Sequence, residues 1–265
     1  MSLRSAAASR NLLYLLALKE LRTRYKKSVL GWAWSLLNPL SQMVIFSVIF
    51  LYVFKAAPPV GDPSGLENFP LYFLSGVLAF NFMSISVGTA IGAVQGGAGL
   101  IKKVQFPHEH LVFSVIVAQF VTLMIEMAVL TIALLIAGNM VLPWLPVLFV
   151  ILALLTLFTT GLALMLSAAN VFYHDINYLW GILVQILFYA TPIIYNPATI
   201  EIAALRWIAN YGPTGSFITA VHQVMYDLQM PSAARFIQLS IIGFSTFFLG
   251  AWVFNRLSPR FAEEM

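Results

Sequence analysis

Cysteine is absent from the 265 residues, which removes disulfides, thiolate metal sites and cysteine nucleophiles. Charge is nearly as scarce. Only 9% of residues are Asp, Glu, Lys or Arg, 60% are hydrophobic, and mean hydropathy is +0.89. Soluble domains carry about a quarter charged residues, so a water-soluble fold is excluded. The scarcity is organised into runs: residues 29–54, 69–101, 127–173, 176–200 and 236–255 contain no charged side chain, and 111–137 contains only Glu126. A helix needs roughly 20 apolar residues to cross a bilayer. The runs are continuous, unlike the short alternating segments of a membrane barrel, and they predict an all-α polytopic membrane protein.

Catalytic signatures are also lacking. Gly96, Gly97 and Gly99 precede Lys102 and Lys103, but no glycine stands directly before a lysine and no Ser or Thr follows, so this is not a Walker phosphate loop. His108-Glu109-His110 lacks the H-E-x-x-H spacing, and helical i, i+2 positions point apart. No metal site, resident cofactor or enzymatic activity is expected. Energy for uphill movement of a solute must come from another chain or from an ion gradient.

Six spans are predicted, at 29–54, 70–95, 111–137, 147–170, 178–195 and 236–255. Lys and Arg concentrate in cytoplasmic loops. With the N-terminus inside, Arg4, Arg10, Lys19, Arg22, Arg24, Lys26, Lys27, Lys102, Lys103, Arg256 and Arg260 face the cytoplasm, and only Lys55, Arg206 and Arg235 face outward. Both termini are therefore expected in the cytoplasm. The first residues do not read as a signal peptide, because Lys19 and Glu20 break the apolar stretch and basic residues follow. Topology accounts for the net charge of +4, so nucleic acid is not an expected partner.

Two segments outside the spans stand out. Residues 11–27 mix Leu12, Leu15, Leu16 and Tyr25 with charged residues at near-helical spacing, the pattern of an interfacial helix that contacts membrane lipids. It reads either as a lipid-surface anchor or as a docking or gating helix. Residues 196–235 are broken by Pro197, Gly212, Pro213 and Gly215 yet are too apolar for a free loop. Short external re-entrant helices are predicted there.

Polar stripes run along the spans. Ser35, Asn38 and Gln42 share a face of the first, in which Pro39 predicts a kink. Asn81, Ser84, Gly88 and Gly92 share a face of the second, where small residues suggest close helix packing. Gln119, Thr122 and Glu126 share one in the third, and Gln185 and Tyr189 one in the fifth. Glu126 is the one acid deep in a span, and an intramembrane carboxylate is a functional hypothesis by default. Its readings are a structural glutamate bonded within the bundle or at a subunit interface, or a proton-coupling group. Aromatics such as Trp34, Tyr72, Trp180 and Trp207 fall near predicted span ends and read as an interfacial belt. Some of them also suit a surface on which sugar rings stack.

Three segments carry a family resemblance. They are LIKKVQFPHEHL at 100–111; LKELRTRYKKSVLGWAWSLLNPL at 18–40, with G-x-x-W-x-x-L-x-P-L at Gly31, Trp34, Leu37, Pro39 and Leu40; and the stretch 170–177 followed by a span ending in TPIIYNP at 191–197. Together they resemble the ABC-2 type permeases of the polysaccharide-exporter family, across nearly the whole chain. The sequence departs from that family's pattern at Asn210-Tyr211-Gly212-Pro213, at His222-Gln223 and at His174.

The resemblance implies a single transmembrane domain over 1–265 and a homodimer in a bacterial plasma membrane. Two copies of a separate ATPase subunit, which bind ATP and Mg, would drive it. The implied cargo is lipid-linked polysaccharide, usually on polyprenyl diphosphate. It further implies that Lys102, Lys103, Phe106, Pro107, His108 and Glu109, within 97–110, dock the ATPase. Lys19, Glu20, Arg22, Arg24, Tyr25, Lys26 and Lys27 would form an interfacial gate helix. Trp34, Asn38, Gln42, Tyr72, Asn81 and Tyr189 are the channel candidates. The competing readings are a permease for drugs or simple lipids, an ion-coupled flippase using Glu126, and a membrane-embedded glycan enzyme.

Overall fold

The computed structural model describes residues 3–25, 28, 31, 33–55, 58–102 and 106–264. Of the expected functional residues, Lys26, Lys27 and Lys103 lie outside the described residues. Helices dominate: α1 (Leu3–Tyr25), α2 (Ala33–Ser47), α3 (Phe69–Ile91), the short α4 (Ala93–Gly96) and α5 (Ala98–Ile101), and α6 (Glu109–Ile136). The second half holds α7 (Leu145–Phe172), α8 (Ile176–Ala190), α9 (Ala203–Tyr211), α10 (Pro213–His222), α11 (Ala233–Leu257) and α12 (Phe261–Glu264). Among the described residues, five helical segments are long and apolar enough to cross a membrane: Ala33–Val53, Phe69–Ile91, Glu109–Ile136, Leu142–Phe172 and Ala233–Arg260. The chain is a multi-pass membrane protein.

Side-chain contacts give the direction of each helix. Phe50 stacks on Phe69 at 5.1 Å and Phe46 on Phe73 at 4.9 Å, so α2 runs antiparallel to α3. Trp180 Nε1 donates to the Ser84 carbonyl at 3.1 Å, and the Tyr72 hydroxyl donates to the Tyr195 carbonyl at 2.9 Å, so α8 is antiparallel to α3 as well. α7 and α11 run parallel, with Gly243 against Leu154 and Gly250 against Gly161. The chain must therefore return across the bundle between them, and α8 makes that crossing. Its 15 residues rise only about 22 Å at 1.5 Å each, short of the ~30 Å hydrocarbon core. The buried turn of Thr191, Pro192, Ile193 and Ile194 continues the path. Pro192 is the cause of the shortening: the residue before a proline is pushed out of the helical region, and Thr191 is extended at φ −95, ψ 141.

The bundle thus has two ends. One, the basic end, holds Lys102, the 106–111 segment, and Arg256 and Arg260 near the last turns. His108 approaches Phe261 at 6.1 Å there. The far end holds Asn68, Asn139 and the 196–232 segment. At the far end α9 is exposed along most of its length, whereas α10 is buried and opens into a π turn, Gln223–Asp227. This is the expected pair of short helices.

The core is the α3–α6–α7 layer, with Phe73, Met83, Leu123, Leu130 and Ile151 nearly or fully buried. Close packing of two spans lies elsewhere than the sequence suggested. Gly92 faces open space and Gly88 meets the Trp180 indole, whereas a Cβ on Gly250 would sit 2.1 Å from the Gly161 carbonyl oxygen. Gly161, Gly243 and Gly250 are what let α7 and α11 touch backbone to backbone. α2 continues through the buried Pro39 and widens into a π turn at Val48–Val53. α1 starts at Leu3, earlier than residue 11, and packs on α6 with Leu16 and Ala17 buried. Tyr14 and Leu15 are exposed on its other side, so its apolar residues are not gathered on one face.

Candidate functional site

Three of the polar stripes meet. The first turns of α2 supply Trp34, Ser35, Asn38 and Ser41, the middle of α3 supplies Asn81, and the middle of α6 supplies Gln119, Thr122 and Glu126. They line a cavity of about 430 Å³ together with Pro39, Phe82, Ile85 and Leu123. Stripe periodicity explains each helix's share: positions i, i+3 and i+7 present one face. Polar side chains inside a bilayer face a bundle interior or a hydrated cavity, and these do so as one group. Glu126 is 8% exposed and Gln119 7%, so the acid sits under the cavity wall among amides and hydroxyls. The group offers both hydrogen-bond donors and acceptors to a hydroxylated solute or to water.

The structure sorts the channel candidates. Trp34, Asn38 and Asn81 line this cavity beside Glu126. Gln42, half-buried, lies outside it and carries a buried Oε1 with no hydrogen-bond partner among the described residues. Tyr189 is 62% exposed on α8 and its carbonyl accepts from the Tyr195 hydroxyl at 3.0 Å. Tyr72 is buried at the far end, stacked on His222 at 4.0 Å.

At the far end Tyr226 and Asn139, which the sequence did not single out, tie several segments together. Tyr226 is fully buried, and its hydroxyl accepts from Asn68 N–H at 2.8 Å and lies 2.7 Å from the Pro59 carbonyl and 2.8 Å from that of Leu66. Asn139 Nδ2 donates to the carbonyls of Met225 and Tyr226. His222 is buried, which lowers its pKa to about 4. Its neutral ring therefore donates through Nε2 to the Tyr72 carbonyl at 3.0 Å. Nearer the basic end, Asn170 Nδ2 donates to the Ile91 carbonyl and to Gln95 Oε1, both at 3.1 Å. Trp180, expected in the interfacial belt, is instead buried on Ser84.

At the basic end, Lys102 is exposed and closes α5, while Phe106, Pro107, His108 and Glu109 are half-buried. His108 sits edge-on to Phe106 at 5.6 Å, and Glu109 opens α6. An acid in a first helical turn complements the positive end of the helix dipole. On α1, exposed Lys19 and half-buried Glu20 form a pair at 3.9 Å, of little energetic weight. Arg22 is exposed, and Arg24 and Tyr25 belong to the last turn of the helix.

This chain matches the ABC-2 type transporter family over residues 11–226. It belongs to that family. Among curated proteins, the ABC-2 chain is 28% identical over 258 residues to the O-antigen export system permease protein RfbA of Myxococcus xanthus, covering 97% of this chain and 96% of that protein. It is also 28% identical over 257 residues to the O-antigen export system permease protein RfbA of Klebsiella pneumoniae, covering 96% and 94%. A shorter match, 33% identical over 87 residues, is to the polysialic acid transport protein KpsM of Escherichia coli, covering 33% of this chain and 31% of that one.

Proposed function

We propose that this chain is the permease subunit of an ATP-driven exporter that moves lipid-linked polysaccharide across a bacterial plasma membrane. The observation that carries the reading is the end-to-end similarity to permeases named for O-antigen export, which spans both chains almost completely. The polar cavity supports it, because amide, hydroxyl and carboxylate groups match the hydroxyls of sugars.

The basic end faces the cytoplasm in this reading, which the bias of Lys and Arg toward that end supports. Exposed Lys102 and the half-buried Phe106–Glu109 stretch dock a separate ATPase, with Lys103 beside them. Two copies of this chain form the pore and two ATPase subunits drive it, so that ATP binding draws the two docking segments together. Lys19, Arg22 and Arg24 of α1, with Lys26 and Lys27 next in the sequence, meet the diphosphate or lipid phosphates at the entrance. Trp34, Asn38 and Asn81, with Glu126 behind them, contact the glycan within the membrane.

Deleting the gene and labelling the cell surface tests the reading. Loss of one surface polysaccharide, with its lipid-linked precursor accumulating inside, is expected. An unchanged surface with no internal precursor sinks it.

A further inference from the structure

At the basic end one side chain ties the 106–109 stretch to two spans. Phe261 opens α12 and is fully buried, although α12 has only 4 residues. A helix that short is not held by its own hydrogen bonds, so burial of this ring is what fixes it. The Phe261 ring lies 5.4 Å from Phe254 in the last turn of α11, 6.3 Å from Phe172 at the end of α7 and 6.1 Å from His108. All three separations fall in the range of about 4.5–7 Å in which aromatic rings attract one another.

His108 stands directly before α6 and makes no side-chain cap for it. Its ring is placed instead by two others, edge-on Phe106 at 5.6 Å and tilted Phe261. Phe106 and His108 are both half-buried, so each keeps surface for a partner. In the chain this stretch continues into α6, which carries Gln119, Thr122 and Glu126 of the cavity. Across space, Phe261 joins it to α7 and α11, which touch backbone to backbone at Gly161 and Gly250.

We propose that Phe261 is a positioning residue for the ATPase: by holding His108, it keeps the docking segment in the pose that the partner accepts. The proposal deepens the export reading and rests on its assignment of Phe106–Glu109 as the docking segment. Phe261 exposes no surface, so it acts through His108 and not by touching the ATPase. Its effect is one of population. A docking segment that occupies the accepted pose a tenth of the time binds about tenfold more weakly.

The test titrates the ATPase partner onto the intact chain in lipid nanodiscs by biolayer interferometry, with a thermal midpoint for each protein. Phe261 is changed to Ala and to Leu, and so is Phe217, an equally buried ring of α10 that stacks on Phe158 at 5.5 Å. Both alanine changes open a cavity and lower the midpoint. Only those at Phe261 should weaken ATPase binding, about tenfold for Phe261→Ala and about threefold for Phe261→Leu, which keeps apolar bulk against His108. The leucine pair decides if an alanine variant does not fold. With His108→Ala already present, either Phe261 change should cost less than about twofold, because the ring it holds is gone. Three results overturn the proposal: parent affinity in the Phe261 variants, an equal loss in the Phe217 variants, or the same loss with and without the His108 ring. Lys102→Glu and Phe106→Ala, at the docking segment itself, separate this failure from that of the docking assignment. If they weaken binding and the Phe261 variants do not, the positioning role alone falls; if none of them weakens it, the docking assignment falls as well.

Discussion

Gly250→Ala should damage this protein, while the same change at Gly181 should help it. An added Cβ at Gly250 falls 2.1 Å from the Gly161 carbonyl oxygen and 2.7 Å from its carbon, both backbone atoms that cannot swing aside. The α7–α11 seam must open by about 1 Å, and a gap of that order forfeits a quarter to half of each dispersion contact along it. α11 buries only Leu239, Gly243, Gly250 and Phe254, so no second seam compensates. Overpacking of this kind costs about 1–3 kcal/mol. At Gly181, in the interior of α8, a Cβ meets nothing within 4 Å. Alanine there gains about 0.5–1 kcal/mol of helix preference. Heating the detergent-solubilised protein and measuring the surviving monodisperse fraction by size exclusion reads both. The midpoint should fall by several degrees for Gly250→Ala and stay or rise for Gly181→Ala. Equal shifts, or a tolerated Gly250→Ala, would refute the backbone contact between these helices.

Other outcomes follow from the far end and the cavity. Tyr226→Phe leaves the Asn68 amide and a carbonyl without their shared hydroxyl, a loss of about 2–4 kcal/mol; hydrogen exchange at Asn68 should accelerate, and unchanged exchange would count against the bond. Asp227 has its pKa raised to about 6, mainly by burial. The folded chain therefore holds that proton more tightly than the unfolded one, and stability should rise as pH falls from 7 toward 4. Asp227→Asn should be more stable than the parent at pH 7.5 and flatter across that window; an identical pH profile in both proteins would show that Asp227 is not the titrating group. Glu126→Gln keeps the side-chain volume and one accepting oxygen and exchanges the other for an N–H donor, which the surrounding hydroxyls and amides can accommodate, so export should stay within about twofold. Lost export in that variant, together with transport that ignores ATPase inactivation, would favour an ion-coupled mechanism.

The spans were legible because a bilayer leaves so few options: charge-free runs of sufficient length become crossing helices. Helix ends were less so. The fifth span stops at Ala190 because of Pro192, a local rule visible in the sequence but outweighed in reading by the apolar run continuing to Tyr195. Stripes were legible helix by helix, yet periodicity says which face is polar and not which neighbour it meets. The gathering of Asn38, Asn81 and Glu126 around one cavity needed the tertiary structure. Composition rules also treat all terminal aromatics alike, and so placed Trp180 in the belt although it is buried on Ser84. Tyr226 lay in a segment read as short, broken helices, where too few turns run together for periodicity to mark a buried side chain.

The central claim is that this chain provides the path and a partner ATPase provides the energy for moving a lipid-linked glycan. Co-reconstitution with that ATPase in proteoliposomes, with ATP hydrolysis measured with and without lipid-linked polysaccharide, tests it most directly. The account predicts hydrolysis stimulated several-fold by the glycan lipid, and uncoupling of that stimulation by Lys102→Glu or Phe106→Ala at the docking segment. Stimulation by drugs or simple lipids with none by any glycan lipid would contradict it.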